Sequence, residues 1–274
     1  MKKLIPLLSV LGLLFFASCS KEDNGTPVPV PETPQQNAVV FHFGGTWNSP
    51  EGEYGKPGKE WLLKNYVKKV CVVSCQMNAT SGGFTDPMSS ADGNQMSGFF
   101  KQLGPPSMFL MADGGVLNLR GNTITQNMLK SIVDSMTTKI TPRATVSATV
   151  TKTNLGSTWQ LKVDAKVKFH VAIPGKTYLL GAYFVENDLY FPQQNDNGDN
   201  TDYHEMVMRE KLCTALNGDL LASNPAKDLE VSKTITKGVN NSYNMPKCKI
   251  VLVIWEKTGT TINWPMNGLV LDIP

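Results

Sequence analysis

A strand, a tight loop and a helix follow one another in residues 39–63, and this succession constrains the fold more than any other part of the sequence. The apolar run at 39–43 predicts a buried strand, which two glycines end. Residues 59–66 have helical spacing. A short loop joins the end of this strand to the segment that leads into the helix. The loop consists of Trp47, Asn48, Ser49, Pro50 and Glu51.

This loop resembles the active-site loop of thioredoxin-like proteins, which reads Trp-Cys-x-x-Cys. Trp47 and Pro50 keep the places that the resemblance gives them, whereas Asn48 and Glu51 stand at the two Cys positions. In that family the first Cys is a thiolate stabilised at the helix N-terminus. Asn48 is a good N-cap residue, and Glu51 suits the first helical turn. The resemblance therefore implies a thioredoxin-like domain without redox chemistry.

The order of the following segments fits the same domain, which we predict to span residues 38–141. A strand is expected at 69–77, a helix at 92–103, and a second helix from Thr125, with Met128 on its apolar side. Between them, Pro106 stands just before an apolar strand, where the thioredoxin-like resemblance implies a cis-proline. The alternative is a plain Pro-Pro turn.

Residues 142–274 have a different pattern, with long strands and little helix. From Leu161 to Val171 apolar and polar residues alternate, which indicates strands with one buried face. At least six such segments predict an antiparallel, immunoglobulin-like β-sandwich. The fold class is therefore α/β followed by all-β.

Two polar groups in this half are candidate sites. The acidic loop from Asp196 to Asp202 is rich in Asp and Asn, but it misses the calcium-binding spacing of an EF-hand. We expect a solvated loop there and predict no metal site. A second group is expected to form a structural cluster of hydrogen bonds. Its members are Glu186, Asp188, His204 and Arg209.

The N-terminus carries targeting features. Residues 1–18 read as a signal peptide, with two lysines and an apolar run too short to span a bilayer. Small residues before Cys19 predict lipidation of that thiol, and acyl chains anchor through about 0.8 kcal/mol per buried CH2. Residues 19–37 are expected to be an extended, Pro-rich tether. Lys21-Glu22-Asp23 resembles the surface-export signal of Bacteroidota lipoproteins.

Net charge bears on the kind of partner, and the cysteine positions bear on disulfide bonding. The formal net charge is +3 over 274 residues, or about +1 without the two signal-peptide lysines, which gives no indication of a nucleic-acid partner. Cys71 and Cys75 lie roughly 13 Å apart on one predicted strand, too far for a disulfide. They are buried hydrophobes or, alternatively, metal ligands or redox thiols. Cys213 and Cys248 could form a disulfide outside the inner membrane.

The whole arrangement resembles the twenty-eight-kilodalton outer-membrane protein family of Bacteroidota. The resemblance rests on 43–47 and on 183–188, Gln194, 203–207 and Arg209. It implies an outer-membrane, surface-exposed lipoprotein. The leading hypothesis is a non-catalytic module, without cofactor, that binds a protein, peptide or envelope component. The alternatives are a thiol-disulfide oxidoreductase using Cys71 or Cys75, and a glycan-binding protein using Trp47, Tyr54 and Trp61.

Replacing the predicted lipidated residue, Cys19→Ala, should release the protein from membranes, because no other apolar segment of the sequence reaches spanning length. Membrane fractions washed with carbonate would measure this release. The control replaces Lys21, Glu22 and Asp23 by Ala, which should abolish external protease sensitivity and leave membrane attachment intact. A Cys19→Ala protein that stayed in the washed membranes would contradict the anchor.

Overall fold

The computed structural model describes residues 34–274 apart from 81, 102–103 and 196. The predicted signal peptide, Cys19 and the tether as far as residue 33 lie outside these described residues. Within them, no helix is both long and apolar enough to cross a bilayer.

The first half alternates strands and helices in the predicted order. Strand β1 pairs in parallel with β2, β3 pairs antiparallel with β1, and β4 antiparallel with β3. One wide turn with π-helical hydrogen bonding, Glu51–Gly55, precedes the first helix. The elements are β1 Ala38–Gly44, α1 Lys56–Asn65, β2 Val70–Gln76, α2 Ala91–Phe99, β3 Ser107–Ala112, β4 Gly115–Arg120 and α3 Gln126–Thr138.

Two sequence-based expectations for this half need correction. Thr125 caps α3, since its hydroxyl accepts from the Met128 backbone N–H at 3.3 Å, but the Met128 side chain is 47% exposed instead of buried. The tether does not extend to residue 37. Gln36 and Asn37 are buried, and they hydrogen-bond to Met266 and Gly268 of the last strand.

The second half is a β-sandwich, as the alternating pattern predicted. A three-stranded antiparallel sheet, ordered β12-β6-β5, packs across an apolar core on strands β7, β13 and β14. Core side chains come from alternate positions such as Val163, Ala165 and Val167, so the polar residues between them face outward. The strands are β5 Ala144–Asn154, β6 Thr158–Phe169, β7 Thr177–Glu186, β8 Leu189–Asn195, β9 Gly198–His204, β10 Val207–Lys211, β11 Asp219–Ser223, β12 Glu230–Asn240, β13 Cys248–Thr258 and β14 Thr261–Asp272.

The acidic segment predicted as a solvated loop is instead part of a hairpin. Strands β8 and β9 pair from Leu189 with His204 to Asn195 with Gly198, so only the tip is a turn. Strand β8 has no strand-like sequence pattern, because Pro192 interrupts it and polar residues dominate its end. This hairpin, residues 189–204, is called the β8–β9 hairpin below.

One nine-stranded sheet crosses the predicted boundary between residues 141 and 142. Strand β10 lies between β7 of the sandwich and β2 of the first half, in the order β14-β13-β7-β10-β2-β1-β3-β4. The ninth strand, β11, pairs with another part of β7. The two halves also share a hydrophobic core. Phe41 is at its centre, with its ring 5.6 Å from Tyr183 and 5.7 Å from Trp255 between centroids. The boundary itself remains a prediction.

Whether Cys213 and Cys248 form a disulfide was left open by the sequence, and in the structure both thiols are free. Each thiol donates to a backbone carbonyl instead, Cys213 to Ala215 and Cys248 to Asn244. Both side chains are buried and behave as small apolar residues.

Trp255→Ala should lower the free energy of unfolding by about 3–5 kcal/mol, because it empties the shared core and removes the indole N–H bond to Tyr183. Urea unfolding followed by circular dichroism would measure the loss. Both halves should unfold in one transition before and after the change. The control Tyr190→Ala removes a 59% exposed ring and should cost under about 0.5 kcal/mol. Two separated transitions would contradict a shared core.

Candidate functional site

The loop at residues 47–51 lies between the end of β1 and the helical turn that precedes α1. The Asn48 side-chain oxygen accepts a hydrogen bond from the Glu51 backbone N–H at 2.9 Å, so Asn48 caps this turn. The Trp47 indole N–H donates to the Met77 carbonyl at 2.7 Å and fixes the loop against the end of β2. The chain therefore needs no thiolate to stabilise this helix N-terminus.

Pro106 packs beside the same turn. Its bond to Pro105 is cis. Gly55 provides the necessary space, because a Cβ built there would lie 2.5 Å from the Pro106 Cβ and 2.0 Å from a Glu51 carboxylate oxygen. The resulting close approach brings the end of the loop, the turn and the start of β3 together around the Glu51 carboxylate.

Beneath the loop lies a group of buried polar side chains, which we call the buried charge cluster: His42, Glu51, Lys59 and Ser74. His42 Nε2 lies 3.1 Å from Glu51 Oε2, and His42 Nδ1 lies 2.9 Å from Ser74 Oγ. All four side chains are at most 1% exposed. Burial lowers the pKa of Lys59, and the Glu51 carboxylate opposes that shift.

The Ser74, His42 and Glu51 side chains form a hydrogen-bonded chain of the kind that activates serine nucleophiles. Nucleophilic catalysis requires that the hydroxyl reach a substrate. Ser74 and His42 are 0% exposed, so a substrate would need a rearrangement of the fold to reach either of them. In this conformation the chain of hydrogen bonds satisfies buried polar groups and holds β1, β2 and the turn in register.

The β8–β9 hairpin covers the loop. The Gln194 backbone N–H donates to the Thr46 carbonyl at 2.8 Å. The buried Gln193 side chain donates to the Gly45 and Asn48 carbonyls, at 3.3 Å in both cases. The second half of the chain thus closes the site that the first half forms, and water is excluded from the charges below.

Two lysines of α1 contact the second half of the chain. One contacts strand β9 of the hairpin, and the other contacts the residue just after that strand. The Lys56 ammonium pairs with Asp202 of β9 and with Glu60. The Lys59 ammonium donates to the Glu205 carbonyl at 3.0 Å. Neither lysine can be recognised as a site residue from the sequence. Both lie on the helix that follows the loop, but Asp202 and Glu205, with which they interact, are 146 positions further along the chain.

The predicted structural cluster in the second half is divided into three parts. Arg209 pairs with Glu186, whose other oxygen accepts from the Asn244 backbone N–H at 3.1 Å. Asp188 pairs with Lys247. His204 lies apart from them, beside the α1 lysines, and its Nε2 bonds to the Phe191 carbonyl at 3.3 Å. These are structural contacts, without a shared site.

The cysteines proposed for an alternative function are in the core, and the aromatic residues proposed for another are part-buried. Cys71 and Cys75 are buried, and burial raises the pKa of Cys71 to about 12 and that of Cys75 further. Tyr54 and Trp61 pack against the core, as part-buried side chains. Trp47 bonds to Met77 as described. Among the described residues, no group of His, Cys, Asp or Glu side chains could hold a metal ion.

Comparison with known proteins shows the fold. No sequence profile of a protein family matches the chain, and no curated protein matches it. The solved structure of HBP35 of Porphyromonas gingivalis matches with a TM-score of 0.64 and 18% identity, covering 87% of this chain and 76% of that one. A domain of the outer membrane lipoprotein Omp28 from Porphyromonas gingivalis matches with 14% identity, over 48% of this chain and 88% of that domain. Its TM-score of 0.27 is too low to show a common fold. At these identities the HBP35 likeness shows a common fold alone.

Glu51→Gln should lower the free energy of unfolding by about 3–5 kcal/mol, because it removes the carboxylate with the strongest favourable influence on the charge of the buried Lys59. Chemical denaturation measures the change, and adding Lys59→Met should restore part of the stability by removing the unpaired charge. The control Glu230→Gln breaks an exposed pair with Lys166 and should cost at most about 1 kcal/mol. Equal effects at both positions would contradict a buried pair.

Acid should destabilise the protein through His204, because burial and the neighbouring α1 lysines lower its pKa to about 3. The unfolded chain takes up a proton near pH 6.5 that the folded chain refuses until about pH 3. Stability is therefore lost as pH falls through this window, with a slope approaching about 1.4 kcal/mol per pH unit. His204→Gln should remove that slope in denaturation curves recorded from pH 7 to 4. His170→Gln, at a half-exposed imidazole, should change it less, and equal slopes in all three proteins would refute the assignment.

Proposed function

We propose that the first half is a thioredoxin-like scaffold that serves binding instead of redox catalysis. The proposal is supported by the order of its strands and helices, by the pairing of β1 with β2 and β3, and by the loop at the end of β1. The C-terminal sandwich is the second part of this scaffold. The two halves present one continuous body, since they share a sheet and a core.

The observation that carries the non-catalytic part is the environment of Glu51. At the position where the resemblance would require the second thiol, this carboxylate is buried, bound to His42 and covered by the β8–β9 hairpin. A thiol-disulfide cycle needs an attacking thiolate and a resolving thiol. Asn48 and Glu51 provide neither, and both are used in local hydrogen bonds.

The rival enzyme function would depend on Cys71 or Cys75. Both thiols are buried within strand β2, and their raised pKa values keep them protonated at neutral pH. A glycan-binding function based on Trp47, Tyr54 and Trp61 has little support. Tyr54 and Trp61 pack against the core, and the Trp47 indole N–H is bonded to the Met77 carbonyl. The binding function therefore remains the stronger proposal.

The location that we propose is the outer membrane, with a lipid on Cys19 and the body exposed at the cell surface. The proposal rests on the small residues before Cys19, on the acidic and basic residues after it, and on the Pro-rich segment that follows. The fold shared with HBP35 of Porphyromonas gingivalis is compatible with it. A pull-down from intact cells, with residues 19–37 kept, would identify the partner.

The protein should not reduce insulin disulfides with dithiothreitol as the electron donor, because the described part of the chain has no exposed thiol. Insulin turbidity measures the turnover, with thioredoxin as the positive control. Cys71→Ser and Cys75→Ser should leave the rate at background. Turnover well above background that either substitution abolished would replace the binding proposal by the oxidoreductase.

A further inference from the structure

A cleft of about 910 Å³ lies between the two halves, away from the buried charge cluster. Residues from the end of α1 and the start of β2 line one part of it, including Leu63, Val67 and Val70. Strands β5 and β14 line another part, and single residues of other segments complete the lining. Val67 is 67% exposed, so the cleft presents apolar surface to solvent.

Two strand edges line this cleft. Consecutive residues 145–150 of β5 all contribute, and so do consecutive residues 267–272 of β14. Side chains of a strand alternate between its two faces, so a surface that meets every residue in turn meets the edge of the strand and not one face. The backbone itself is therefore part of the lining.

Both edges lack a strand partner on this side. Within the described residues, β5 pairs with β6 alone and β14 pairs with β13 alone. One end of the cleft is fixed, because the Asn267 amide donates to the Ala144 carbonyl at 2.9 Å. The Gly268 carbonyl is also occupied, because it accepts from the Asn37 side chain at 2.8 Å. The edge of β14 without a ladder is therefore residues 269–272, and that of β5 is residues 145–150.

We propose that this cleft is the binding site for an extended polypeptide segment of a partner protein, which adds a strand to the edge of β5 or β14. This assignment rests on the binding function proposed above and names its site and partner class. Main-chain hydrogen bonds supply affinity in strand addition, and side-chain pockets supply preference. The six residues of β5 that line the cleft correspond to a bound segment roughly 20 Å long.

The lining distinguishes a peptide from an acyl chain. An acyl chain would use the apolar wall at Leu63, Val67 and Val70 but would leave the edge groups without partners. An extended peptide satisfies those groups and can place alternate apolar side chains on the same wall. Polar residues at the rim, including Lys68, Asn187 and Gln35, can bond to its remaining groups.

The experiment screens a library of fluorescent octapeptides, with Val and Thr alternating around varied positions, against the full-length protein in detergent. Each binder is then remade with N-methyl groups at alternate amides, which removes donors and keeps the side chains. We expect binders whose affinity falls at least about tenfold on methylation. Amide hydrogen exchange should slow at 145–150 or 269–272 when they bind.

Thr149→Trp fills the cleft and should weaken the same binders at least about tenfold. Its control is Thr151→Trp, two residues further along the same face of β5 and outside the cleft, which should leave affinity unchanged. Thermal unfolding of both variants shows whether they fold alike, and the hydrogen-exchange measurement on the unmodified protein needs neither variant.

Four results would overturn the assignment. The first two are a library without binders and binders indifferent to methylation. The third is binding only after deletion of residues 20–33, which would mean that the chain's own tether is the occupant. The fourth is displacement of the peptides by palmitate, with methylated peptides binding equally well, which would identify an acyl site instead. The insulin assay is independent of all these outcomes, so failure here leaves the non-catalytic proposal standing.

Discussion

Strand β10 is the connection on which the rest of the molecule depends. It lies between β7 and β2, where Val207 pairs with Ser74 and the Ser74 backbone N–H donates to the Met206 carbonyl at 2.9 Å. This short pairing joins two sheets into one, and the aromatic core around Phe41 and Trp255 fills the space beside it. Because β10 directly follows the β8–β9 hairpin, the same connection determines that the hairpin lies over the loop at the end of β1.

The covered loop explains how a carboxylate can be buried just after the end of β1. Burying Glu51 alone would be costly, but its carboxylate is hydrogen-bonded to His42 and interacts favourably with the charge of Lys59. The hairpin removes water from above, and its Gln193 side chain bonds to the loop carbonyls that water would otherwise satisfy. Loop, cluster and hairpin therefore form one unit, in which each part depends on the burial supplied by the others.

The sequence predicted what local periodicity determines. Alternation along β6, the apolar runs of β1 and β2, and the Thr125 cap all appear where expected. It failed where distant residues decide. Pro192 and its polar neighbours give β8 no strand-like sequence pattern, and the strand is recognised only from its pairing with β9. His42 reads as one polar residue in an apolar strand, and its role depends on Ser74, which is 32 positions away. Met128 satisfies helical spacing, yet no other element covers that side of α3.

The contact between the two ends of the described chain has a mechanical consequence. Asn37, just before β1, bonds through its side chain to the Gly268 carbonyl and through its backbone to Asn267, about 230 positions later. A force applied at residue 34 therefore reaches β14 and β1 together, instead of peeling β1 from one end of the sheet. Both strands lie in the nine-stranded sheet, so the load is distributed between the two halves. If the protein were held by its N-terminus under flow, the hydrogen bonds between Asn37 and β14 would have to break before β1 could be pulled away.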